Sequence, residues 1–90
     1  MRPLRCWLWR LRLSHGSIEV VEPRDVFAGN LRARRVAAGL SQEALGKVSG
    51  MHFTEISRLE RAQRDPRLAT IVKLARALNV TSSELLAGVD

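Results

Sequence analysis

The chain has 90 residues, 46% of them hydrophobic and 27% charged, which fits one small globular domain and excludes a disordered chain. Fifteen Lys plus Arg against nine Asp plus Glu give a formal charge of +6, and all but two of the fifteen are arginines. Forked guanidinium donors suit phosphate oxygens, although a solvated basic surface has the same composition.

In chain order, the apolar run at the N-terminus is interrupted by Arg10 and Arg12 before it reaches signal-peptide length, and no segment approaches membrane-spanning length. Cys6 is the only cysteine, so no intrachain disulfide is expected, and it reads as a small apolar residue. Cys6, His15 and His52 lack metal-ligand spacing, so no metal and no cofactor is expected. From Trp7 to Glu22 the sequence alternates as a strand does: Trp9, Leu11 and Leu13 on one side, Arg10 and Arg12 on the other. With His15-Gly16 as a two-residue turn, Leu13 faces Ile18, Leu11 faces Val20 and Arg12 faces Glu19. A lone hairpin is marginal in water, so its apolar face would need the helical domain or a second chain as a partner. The alternative is a disordered basic arm. Residues 1–24 are therefore expected to form an N-terminal arm or hairpin, and residues 25–90 a helical domain.

Helix 1 is expected from Asp25 to Ala38, with Phe27, Leu31, Arg35 and Ala38 on one face and Gly39 as its stop. Ser41 then has the character of an N-cap for a helix opening Gln42-Glu43-Ala44-Leu45, and Gly50 stands where that helix must end. Gly46 leaves a gap through which a second helix can approach closely. Met51 and Ile56 are spaced as a hydrophobic staple across a helix start at His52, so Phe53, Thr54 and Glu55 form the next first turn. If Ile56 and Leu59 face inward, Phe53, Thr54, Ser57 and Arg58 face outward. Two short helices crossing at such a turn describe a helix-turn-helix, whose second helix enters a DNA major groove. After the loop Ala62 to Pro66, with Pro66 at the helix entrance, a fourth helix reads Leu68, Ile71, Leu74, Ala75 and Leu78 along one face. Thr81-Ser82-Ser83-Glu84 is a capping box opening a last helix with Leu85 and Leu86.

These pieces occur as an ordered set: Leu31-Arg32-Ala33-Arg34-Arg35, Gly39 to Leu45, Ile56 to Arg61, and Leu74 to Val80. From about Asp25 to Gly88 the chain resembles the phage-repressor (XRE) type of helix-turn-helix protein. The resemblance implies an all-α, five-helix DNA-binding domain that acts as a dimer on operator sites. It places base reading on Phe53, Thr54 and Arg58. Arginine there can bond the O6 and N7 of guanine, threonine offers a hydroxyl or a methyl, and Phe53 would either pack on a thymine methyl or mark a protein-binding surface. Gln42, at the opening of helix 2, resembles the family's phosphate clamp, and Arg61, Arg64 and Arg67 extend the positive edge. The resemblance also pairs Arg35 with Glu60 as a structural ion pair, against the alternative of two unrelated surface charges. Three residues depart from the pattern: Ala62 in place of glycine, Ser49 in place of an apolar residue, and Arg67 in place of a small hydroxyl cap.

The expected function is a sequence-specific regulator in the bacterial cytosol, bound to nucleoid DNA, acting as a homodimer at a near-palindromic operator. An antitoxin-like autoregulator, whose residues 1–22 hold a partner protein, is the alternative. No paired acid and base or nucleophile set is present, so no enzymatic activity and no catalytic residues are expected.

Overall fold

The computed structural model describes residues 11–14 and 17–89. Two strands, β1 (Leu11–Ser14) and β2 (Ser17–Val20), precede five helices: α1 (Pro23–Ala37), α2 (Gln42–Ser49), α3 (Phe53–Glu60), α4 (Leu68–Leu78) and α5 (Ser82–Leu85). The strands pair antiparallel, Leu11 with Val20, Arg12 with Glu19 and Leu13 with Ile18, which is the register expected from the alternation. Cys6, Trp9 and the His15-Gly16 turn lie outside the described residues.

Helix α1 begins at Pro23, two residues before the expected Asp25. Proline at the first helical position has no N–H to leave unpaired, and the Asp25 carboxylate accepts the Glu22 backbone N–H at 3.0 Å. At the other end Ala38 is the exposed C-cap, not a member of the buried face, because Gly39 (φ 73) already turns the chain away. The α1 core residues are Phe27, Ala28 and Leu31.

Helix α2 is capped by Ser41, whose hydroxyl accepts the Ala44 N–H at 3.0 Å, and it stops at Gly50 in the left-handed conformation (φ 74). Ser49, on the inner side where an apolar residue is commoner, is satisfied by donating to the Leu45 carbonyl at 2.7 Å. At the entrance of α4, Pro66 precedes the cap Arg67, which makes no side-chain capping bond. One expectation is corrected: Leu68 is 75% exposed instead of joining the buried stripe. Leu68 is the first helical residue and stands roughly 70° from the centre of that stripe at 100° per residue, so it overhangs the core edge.

Helix α5 is capped by Thr81, whose hydroxyl accepts the Glu84 N–H at 3.1 Å. The Asn30 amide on α1 donates to the carbonyls of Leu85 and Ala87, both at 2.8 Å, and thereby satisfies acceptors left open at the end of this short helix. One core results: Phe27 and Leu31, Leu45, Ile56 and Leu59, Ile71, Leu74, Ala75 and Leu78, and Leu85 meet at its centre. Every helix contributes at least one residue, so α3 is anchored from one side only and its other side is open to solvent.

Candidate nucleic-acid interface

Helices α2 and α3 are joined by Gly50, Met51 and His52. The close crossing depends on Gly46: a Cβ placed there would lie 2.6 Å from the Met51 carbonyl oxygen and 3.4 Å from the Phe53 nitrogen. Met51 is partly buried against the core cluster to which fully buried Ile56 belongs, which is consistent with the staple spacing. Leu45 and Leu59 fill the same angle.

With Ile56 and Leu59 buried, helical geometry turns Phe53, Thr54 and Arg58 to solvent, and all three are exposed. Ser57 is half-buried at the edge of this face. Arg58 has no ion-pair partner among the described residues. Phe53 is 43% exposed and stacks on the His52 ring, with centroids 4.8 Å apart and planes 28° apart. His52 caps α3, its Nδ1 accepting the Thr54 N–H at 3.2 Å. That contact was not anticipated beyond placing the helix start, because histidine is an uncommon cap and nothing in the residue order announces it.

The ion pair lies beneath this face. Arg35 donates from Nε to Glu60 Oε2 at 2.6 Å and from Nη2 to Oε1 at 3.0 Å, while its Nη1 donates to the Leu40 carbonyl at 2.9 Å. The side chains are only 13% and 4% exposed, so this forked contact is largely dry. The hydrogen bond to Glu60 raises the Arg35 pKa above its usual value against the opposing effect of burial. Gln42 joins the same group through Nε2, which donates to Glu60 Oε1 at 3.3 Å. Its amide is therefore partly committed inward, a link that the sequence did not reveal.

The remaining arginines form the rim. Arg61 is exposed and leans back along α3, Nε to the Ser57 carbonyl at 3.3 Å. Arg64 and Arg67 line a cleft with His52, Glu55, Asp65 and Lys73, immediately beside the start of α3. Four cations at 61, 64, 67 and 73 thus flank the exposed helix face, against Glu55 and Asp65. Among the described residues no group of His, Cys, Asp or Glu is arranged to hold a metal ion, and no helix is long and apolar enough to cross a membrane.

Comparison with known proteins agrees with this geometry. Residues 31–85 match the helix-turn-helix family model HTH_3. The control protein C.SmaI of Serratia marcescens is 41% identical over 63 residues, which cover 70% of this chain and 75% of that protein. The crystal structure of the restriction-modification controller protein C.AhdI of Aeromonas hydrophila superposes with a TM-score of 0.67 at 42% identity, over 69% of this chain and 94% of that one. The P22 c2 repressor, solved in complex with a synthetic operator, gives a TM-score of 0.64 at 34% identity, over 69% of this chain and 94% of its own. The order of elements, the glycine-mediated crossing of α2 and α3 and these matches together make the chain a member of the phage-repressor (XRE) type of helix-turn-helix family.

Proposed function

We propose that this protein is a sequence-specific regulator of transcription that binds double-stranded DNA as a homodimer at a near-palindromic operator in the bacterial cytosol. The observation that carries the reading is α3 itself: one side fixed in the core, the other presenting exposed Phe53, Thr54 and Arg58. In this reading α3 enters the major groove. Arg58 gives two hydrogen bonds to a guanine, Thr54 and Phe53 contact neighbouring base edges, and phosphates are held by Gln42 with the α2 amides and by Arg61, Arg64 and Arg67. The regulators among its relatives, one of them solved on an operator, support the same reading.

Selection of the full chain against a pool of random duplexes tests it. The expected product is a set of near-palindromic sequences, with half-sites separated by about one helical turn or a multiple of it. A pool that gains no common sequence would refute specific recognition, and a single unpaired site would refute the dimer.

A further inference from the structure

His52 does more than end the turn. Its Nδ1 accepts the Thr54 backbone N–H at 3.2 Å and also lies 2.7 Å from the Thr54 hydroxyl oxygen. In the tautomer in which Nδ1 accepts the amide hydrogen, the ring nitrogen carries none of its own, and the hydrogen between Nδ1 and Oγ1 belongs to the threonine. With that hydrogen directed at the exposed His52 ring, Thr54 offers oxygen lone pairs and a methyl group to anything approaching α3 from outside.

The hydroxyl contact at the start of α5 has no imidazole in it. At α5 the capping hydroxyl of Thr81 accepts the Glu84 N–H at 3.1 Å and lies 3.0 Å from the Ser83 hydroxyl, and there either oxygen can be the donor. At α3 the stacking of Phe53 on the ring further restrains the group that sets the direction.

We propose that His52 is a positioning residue that holds the Thr54 hydroxyl as an acceptor, so that Thr54 selects a base pair presenting an amino group, adenine N6 or cytosine N4. The inference rests on α3 entering the major groove, as in the function proposed above. There the amino groups of adenine and cytosine are donors, whereas guanine O6 and thymine O4 would set lone pair against lone pair. An unmatched polar contact inside a desolvated interface costs more than the matched one gains, so a single fixed hydroxyl is enough to discriminate.

The test compares dissociation constants of the full chain for duplexes carrying each of the four base pairs at one position. That position is the one whose preference disappears in Thr54→Val, which keeps the methyl group and the shape but removes the hydroxyl. Wild type should favour the amino-presenting pair by about 5- to 10-fold, the worth of one hydrogen bond. His52→Ser retains a capping oxygen but leaves the direction of the hydroxyl bond open, so the preference should fall to about twofold or less. His52→Asp offers acceptors only and should keep the preference while weakening all four duplexes alike. Melting of each variant by circular dichroism separates a lost cap from a lost preference. A preference for the oxygen-presenting base, an unchanged ratio in His52→Ser, or no position altered by Thr54→Val would overturn the inference with DNA reading intact. If no duplex is bound more tightly than scrambled DNA, the major-groove reading fails and the inference falls with it.

Discussion

Ala62 holds a left-handed backbone conformation, φ 57, immediately after α3. The conformation is imposed by two closing hydrogen bonds, Ala62 N to the Leu59 carbonyl at 3.1 Å and Gln63 N to the Arg58 carbonyl at 2.9 Å, which end the helix and set where its C-terminal side chains point. An alanine Cβ is strained there and glycine is not, so Ala62→Gly should stabilise the fold by about 1 kcal/mol, less the extra freedom glycine has when unfolded. Urea denaturation measures it; a destabilised variant would mean that the strain is not resident at this residue. The Arg35 and Glu60 contact has the opposite character, being well formed and costly to break. Arg35→Ala or Glu60→Ala leaves a charge that is largely buried without its partner and should cost about 3 kcal/mol or more. The double variant should cost clearly less than the sum, with a coupling of about 1 to 3 kcal/mol in a denaturant cycle. A coupling near zero would contradict the observed forked geometry. The strain at residue 62 was legible through the family resemblance, because alanine stands where the family pattern has glycine. The Gln42 bond to Glu60 was not, since a glutamine opening a helix has as much reason to face solvent as a carboxylate 18 residues away.

At the scale of elements, two glycines inside helices have opposite meanings. Gly29 in α1 has nothing within 4 Å of the place a Cβ would occupy, whereas Gly46 in α2 has the Met51 carbonyl oxygen 2.6 Å away. Alanine is the better helix former by about 1 kcal/mol at either site. Gly29→Ala should therefore stabilise by about that amount. At Gly46 the backbone of the turn must retreat, and overpacking of about 1 to 3 kcal/mol outweighs the propensity gain. Thermal melts of the two variants should move in opposite directions; a stabilised Gly46→Ala would show that α3 does not approach α2 as described. Helices α2 and α3 were readable because caps, staple and stop residues all lie within a few positions of one another: Ser41, Gly50, Met51 and Ile56 act locally. Where position depends on distant packing, the residue order was less informative. The Asn30 bonds to Leu85 and Ala87 span 55 and 57 residues.

At the scale of the whole molecule, a two-stranded hairpin precedes the helical domain. We propose that the hairpin is an association element, since its register pairs Leu11 with Val20 and Leu13 with Ile18 in a two-stranded sheet. Deletion of residues 1–22 should then lower the sedimentation mass or abolish capture of a partner, while the helical circular dichroism signal persists; an unchanged association state would make the segment a tail. The central claim concerns the exposed side of α3, and affinity for the selected duplex and a scrambled one, measured across a series of salt concentrations, tests it most directly. Arg58→Ala should lose about 1 to 3 kcal/mol on the selected duplex and much less on the scrambled one, as a base contact does. Arg64→Ala should weaken both alike and make the salt dependence shallower by about one phosphate contact. Equal losses on the two duplexes for Arg58→Ala, with wild type itself making no distinction between them, would contradict the account.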